Sequence, residues 1–452
     1  MDVLSSWLLL VLYGGAGNLA AYLAAHVLLC LLPAFFIAGA MSALIPKETV
    51  TRFLGRNSSK AVSYPAAAAA GSLLAVCSCT IVPLFAGIYK KGAGLGPAIT
   101  FLFFAPAANI LALVYTGGVI GVDLAAARFF LSLIFGIGIG LIMALLFRAD
   151  DMAHDLATDG LFADRGTGMG RVPLVFLGLW VALLLAGTLK LGVLTGTWLH
   201  FDLPLAQAGD WQAGLDRLVP FDAAKGEEGV SVQGAVLILL LAAIGVSAWR
   251  GLENIQEGVN GWTRATLALV WATLLFAALA IKPVQGALSI GITGKFFGVA
   301  ASLAAIHFIA WRRLTPEDLQ DWLWETWKFV KQIFPLLVVG VFMYFPTLVE
   351  VPIARMFLDL GMHRGPLLAY LMSDPELSLQ SILIISAIVG RAKTAAYVGL
   401  VALFSAAAGL TYGVWIDGMP LWQIALWLLV FIGGLAALLA LASRRSLADG
   451  GV

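Results

Sequence analysis

Two cysteines separated by a single serine, Cys77 and Cys79, lie in the stretch Ala75-Val76-Cys77-Ser78-Cys79-Thr80-Ile81-Val82-Pro83-Leu84. Thiolates are soft donors that suit Cu(I), Zn(II) and, by the same softness, trivalent arsenic. On a regular helix each residue turns about 100°, so two thiols at this spacing point about 200° apart and reach one ligand only where the segment is unwound. Pro83 is the residue that would unwind it, since it breaks the helical hydrogen-bond ladder. The competing reading is that cysteine packs as a small hydrophobe; the CSC pair beside a proline favours the ligand role. Cys30 follows His26 by four residues, which places both on one helix face, so Cys30 and His26 are candidates to join Cys77 and Cys79 as soft-metal ligands, the alternative being a packed Cys and a satisfied His in a membrane helix. Glu350 precedes Val351-Pro352, and Asp374 and Glu376 flank Pro375. Acidic groups beside broken helices within a membrane are costly and therefore candidates for coupling, unless they sit in water at the mouth of a hairpin. Ser78, Thr80, Pro83, Asn109, Ser373 and Ser378 are candidates to line the same cavity as substrate-binding positions.

The elements that must position these residues follow from composition. Of 452 residues 61% are hydrophobic and 12% charged, with a mean hydropathy of +0.95, far from the range of soluble domains. Apolar runs near the roughly 20 residues needed to cross a bilayer recur along the chain, and they are continuous rather than alternating, which favours helices over a barrel. The expected fold is all-α: a polytopic membrane protein with about eleven spans, at 20–45, 97–116, 121–147, 172–195, 231–249, 262–281, 289–311, 328–345, 366–388, 393–413 and 421–443. Two further apolar stretches, 64–89 and 346–362, are interrupted by Pro and Gly and read as re-entrant hairpins. With 64–89 re-entrant, the basic residues of the short loops, from Lys47 through Lys90 and Lys91 to Arg444 and Arg445, fall on one side, the cytoplasmic one. The loop 196–230, rich in Asp and Glu, then lies outside. The segment 311–328, rich in Trp and charge, reads as an interfacial amphipathic helix. Residues 1–13 lack a basic region and a cleavage site, so no removable signal peptide is expected. The net charge of +1 says nothing about partners.

The chain also matches itself. Residues 82–140 align without gaps to 351–409, with 13 of 59 positions identical. The identities include Pro83 with Pro352, Gly92 with Gly361, Gly96-Pro97 with Gly365-Pro366, Pro106 with Pro375, Gly121 with Gly390 and Gly140 with Gly409. Three prolines and four glycines in register are backbone-shaping positions that composition alone rarely aligns. In the topology above the first span of one copy runs outward and its mate inward, so the repeats are inverted, the signature of secondary transporters. The expected organisation is a first repeat with the CSC hairpin (1–150), a middle insert of about four spans with the outer loop 196–230 (151–327), the second inverted repeat (328–413), and a final helix with a cytoplasmic tail (414–452).

The stretch CSCTIVPLFAGIYKKGAGLGPAITFLFFAPAANILAL resembles the predicted permeases that include the ArsP-type organoarsenical efflux proteins and their YraQ-like relatives. The features that carry the likeness are the CSC, the basic loop at Lys90 and Lys91, the turn from Gly92 to Pro97, the helix with Pro106, and a matching second half from Gly365 to Gly409. The resemblance implies export of trivalent organoarsenicals or of metals, with the CSC thiols as ligands. The long middle, 150–327, departs from the pattern, and the second hairpin lacks cysteine. The leading expectation is a secondary-active exporter in a bacterial inner membrane, not an enzyme, carrying a trivalent arsenical or soft metal on Cys77 and Cys79 and coupled through Asp374 or Glu376. Two alternatives stay open: a transmembrane thiol–disulfide carrier, and a permease for a small organic or sulfur-containing anion with packed cysteines. No cofactor is expected; the partners are a thiophilic small molecule, the lipid bilayer, protons for coupling and a second copy in a homodimer, with no nucleic acid.

Overall fold

Pro and Gly residues mark several of the places where this chain's helices stop. The computed structural model describes residues 16–449 apart from positions 18, 22, 25–26, 57, 74–77, 160–169, 190, 206, 222–228, 285–286 and 342–349. In chain order the principal helices are α1 (Leu32–Leu44), α2 (Lys60–Leu73), α3 (Ser78–Lys90), α4 (Leu95–Ala107), α5 (Ile110–Val119), α6 (Val122–Leu146), α7 (Arg171–Thr188), α8 (Val232–Gly251), α9 (Gly261–Ala277), α10 (Gly294–Arg313), α11 (Pro316–Val341), α12 (Glu350–Asp359), α13 (Arg364–Ser373), α14 (Leu379–Val389), α15 (Arg391–Ile416) and α16 (Leu421–Asp449). Among the described residues six helical stretches are long and apolar enough to cross a membrane: Leu95–Val119, Val122–Leu146, Arg171–Thr188, Val232–Gly251, Gly294–Arg313 and Arg391–Ile416. The protein is thus a predominantly helical, multi-pass membrane protein.

Several of the expected spans differ in form. The apolar run 366–388 divides into α13 and α14, because Pro375 lacks the N–H that would continue the ladder. Around 279–293 the chain is not helical. Strands β1 (Thr197–Leu203), β2 (Leu279–Val284) and β3 (Ala287–Thr293) form a three-stranded antiparallel sheet in the order β1-β3-β2, with Ile281 and Phe201 both opposite Ile290. The purely helical expectation is corrected here: β-branched and apolar residues such as Ile281, Val284, Ile290 and Ile292 suit a pleated surface, and hydropathy alone does not separate a short apolar strand from the end of a helix.

Two units make up the chain, Met1–Ile45 with Met169–Tyr344, and Pro46–Gly168 with Phe345–Val452. In the first, α11 packs along α1, and α7 packs on α1 and α10. Its core is aromatic: Phe36 stacks on Trp180 at 4.8 Å, Phe176 meets Trp322 edge-on at 4.8 Å, and the Trp322 indole donates to the Phe36 carbonyl at 3.0 Å. The Trp-rich segment 311–328 expected to lie in the interface is divided between the end of α10, where Trp311 is exposed, and the start of α11, which runs on into the following apolar stretch and has one face in the core.

In the second unit the self-match of the sequence becomes a match of elements. Shifting the helix starts of α4, α5 and α6 by 269 positions gives the starts of α13, α14 and α15. Gly92 and Gly361 both adopt positive φ (84° and 94°), as do Gly121 and Gly390 (154° and 92°), a region L side chains rarely enter. Helix α4 packs on α6 as α13 packs on α15. Both crossings depend on paired glycines: a Cβ on Gly140 would lie 2.6 Å from the Gly96 carbonyl oxygen, and one on Gly409 would lie 2.7 Å from that of Gly365. The copies also exchange contacts, with α3 against α14 and α12 against α5. Every residue of α4 is buried, which makes it the centre of this unit.

Candidate functional site

The copies of the repeat each contain a helix interrupted at the same place, and polar side chains gather at the interruptions. In the first copy Pro106 ends α4 at Ala107, and Asn109 restarts the chain as the N-cap of α5. The Asn109 side chain accepts from the Ala112 N–H at 2.8 Å and donates to the Ala105 carbonyl at 3.0 Å, bridging the gap from both ends. In the second copy α13 ends at Ser373, and Ser378 caps α14 by accepting from the Ser381 N–H at 3.3 Å while donating to Ser381 Oγ at 2.9 Å. Asn109 and Ser378 occupy equivalent positions and do the same local work.

The most strongly partnered group at these breaks is Arg128 on α6, fully buried. Its Nε donates to the Ala107 carbonyl at 2.6 Å, Nη1 to Thr116 Oγ1 at 3.2 Å and Nη2 to Glu350 Oε1 at 2.6 Å. One guanidinium thereby caps the carbonyl end of α4, ties down α5, and pairs with the first residue of α12. A charge with no access to water needs this density of partners, since a buried ion is tolerated only when paired and hydrogen-bonded. Glu350 is equally buried, and its Oε2 has no hydrogen-bond partner among the described residues. Asp374, half-buried at the end of α13, lies within electrostatic reach of both Arg128 and Glu350. Glu376 is buried and accepts from the Tyr397 hydroxyl of α15. Nearby on α14 the carboxamide of Gln380 is fully buried with neither of its atoms partnered among the described residues.

Cys77 and His26 lie outside the described residues, and of Ser78 and Cys79 only the backbone is described, in the first turn of α3. Thr80 is buried in that turn, and Pro83 lies inside α3, one turn further on. Cys30 is buried, in the π-helical turn Val27–Leu31, and belongs to the other unit of the chain. Among the described residues no group of three or more His, Cys, Asp or Glu could hold a metal ion.

Thus the structure brings Glu350 and Asp374 into one electrostatic group around Arg128, and sets Glu376 apart with Tyr397. Sequence reasoning missed Arg128, Tyr397 and Gln380. For Arg128 the signal was present: a lone basic residue inside an apolar span of the first repeat is as informative as an acidic one. Tyr397 and Gln380 carry no such signal in an apolar sequence.

Residues 13–414 match the model of a family described as predicted permeases. A UPF0718 protein of Methanocaldococcus jannaschii is 30% identical over 417 residues, covering 92% of this chain and 99% of the relative. No solved structure matches.

Proposed function

Because the chain belongs to the predicted permease family, we propose that it is a secondary-active exporter of a thiophilic substrate, a trivalent organoarsenical or a soft metal ion, in a bacterial inner membrane. Membership makes it a membrane permease; the substrate, the direction, the use of the cysteines and the absence of catalysis are our reading. The observation that carries it is the placement of the CSC motif. Cys79 falls in α3, four residues before Pro83, and Cys77 lies outside the described residues. Two thiols at this spacing converge on one soft centre where the backbone at Cys77 departs from a regular helix, which would place them about 200° apart.

The two arms 64–89 and 346–362 act as re-entrant hairpins of inverted repeats, with the thiols on the first and Glu350 on the second, and with Asp374 and Glu376 further along the same second repeat. Capture occurs from the cytoplasm. Two thiolates with labile carbonyl or hydroxyl neighbours bind a trivalent arsenical firmly enough to select it and loosely enough to release it, which a closed four-ligand cage would not. Asp374 or Glu376 couples release to ion movement. The repeat-matched helix breaks support an alternating-access design.

The test is growth of a host lacking its own arsenical exporters on trivalent methylarsenite. The native protein is expected to protect, and Cys77→Ser and Cys79→Ser each to lose most of that protection while reaching the membrane at native levels. Equal protection by native protein and serine variants would remove the thiols from the mechanism.

A further inference from the structure

The two helix breaks occupy equivalent positions in the repeat but differ in what neutralises them. At the first, the carbonyl end of α4 at Ala107 receives the Nε of Arg128, so a permanent positive charge is built in. Shifting by 269 positions replaces Ala107 with Glu376 and Arg128 with Tyr397. The second break therefore has an acid where the first has a methyl group, and a neutral hydroxyl where the first has a cation. Tyr397 is fully buried and donates to Glu376 Oε2; Glu376 is 2% exposed, and its Oε1 has no hydrogen-bond partner among the described residues.

The charges on the neighbouring elements do not supply what is missing. On α6, Arg128 is committed to Glu350, and Asp123 accepts from Arg364 and from Tyr412. Asp374, two residues away on the same turn, falls in the field of Arg128. At the start of α15, Lys393 pairs with Asp150 at 3.2 Å, and Arg391 is exposed. Tyr89 and Lys90 close α3, and Tyr370 lies on α13. Of all these, Tyr397 alone acts on Glu376. A carboxylate held out of water with one neutral donor and no counter-charge among the described residues takes up the smallest available cation.

We propose that Glu376 is an exchangeable proton-binding site, positioned by Tyr397, and that it takes at the second break the place that the permanent charge of Arg128 takes at the first. What this proton drives rests on the permease reading above, whereas its binding requires no substrate. An immobile cation in one repeat and an exchangeable one in the other give a symmetric scaffold a single titrating half. Glu350, already neutralised by Arg128, is thereby set aside as the proton carrier.

Infrared difference spectra of the purified full-length protein in lipid nanodiscs, between mildly acid and mildly alkaline sodium-free buffer, test this without any substrate. The native protein is expected to show a protonated-carboxyl stretching band that disappears on alkalinisation. Glu376→Gln should abolish it, and Glu376→Asp should retain it at a displaced frequency, which guards against loss of fold. Tyr397→Phe should keep the band but move its titration midpoint by about one pH unit, the equivalent of one hydrogen bond to the carboxylate. Asp374→Asn, Cys77→Ser and Cys79→Ser should leave it unchanged, so failure of the thiol reading in the growth assay would be visible separately. A band of native intensity in Glu376→Gln, the absence of any titrating band in the native protein, or its displacement by added sodium at constant acid pH would each overturn the proposal.

Discussion

Replacing Arg128 with methionine is expected to destabilise the protein by about 3–5 kcal/mol, the usual consequence of leaving one member of a fully buried ion pair without the other. Glu350 has no exposure, and its only described partner is the guanidinium at 2.6 Å. Glu350→Gln is expected to do comparable damage from the other side, because Arg128 then keeps its charge in an apolar surround. The double variant Arg128→Met/Glu350→Leu separates the pair from its setting. Removing both charges should recover most of the loss, with a remainder of roughly 1–3 kcal/mol for the Ala107 carbonyl that no longer has a donor. Denaturation of the purified proteins in micelles gives these differences. If the double variant were as unstable as Arg128→Met alone, the carbonyl contact rather than the ion pair would be the source of the stability.

A loss of similar size is expected in the other unit from Trp322→Ala, about 3–5 kcal/mol for the cavity left by a large buried aromatic side chain. The indole contacts Phe36, Phe176 and Trp180 and hydrogen-bonds the Phe36 carbonyl. Beside it, α1 and α11 approach so closely that a Cβ on Gly39 would collide with Thr326. Trp311 is the contrast: it is 71% exposed, on the last turns of α10. Trp311→Ala should change stability by less than about 0.5 kcal/mol. Equal effects at the two positions would mean that the Trp-rich segment acts as an interfacial surface rather than as core.

How far the sequence reaches differs from element to element. The repeat was legible because it is written in prolines and glycines, and these same residues set the helix ends: Pro106 and Pro375 at the breaks, Gly92 and Gly361 at the turns. The multi-pass character was legible from hydropathy. The breaks inside the apolar runs 97–116 and 366–388 were less so, because hydropathy does not register a change of backbone path. For the same reason β2 and β3 were absorbed into neighbouring apolar spans, and β1 into an acidic loop. At the site, the acids stood out because they are rare in such a sequence. Arg128 was passed over although it is rarer still. Its partners lie 12, 21 and 222 positions away, at separations no local spacing rule covers. The distinction between Glu350 and Glu376 was out of reach altogether, since it depends on which side chain α6 and α15 present at one equivalent position.

The most direct measurement of the central claim is transport itself. Everted membrane vesicles containing the protein, energised to acidify their interior, should accumulate trivalent methylarsenite. Accumulation should fall to the level of empty vesicles for Cys77→Ser or Cys79→Ser, and when the proton gradient is collapsed. Undiminished accumulation by both serine variants, or none by the native protein, would contradict the account of a thiol-dependent exporter.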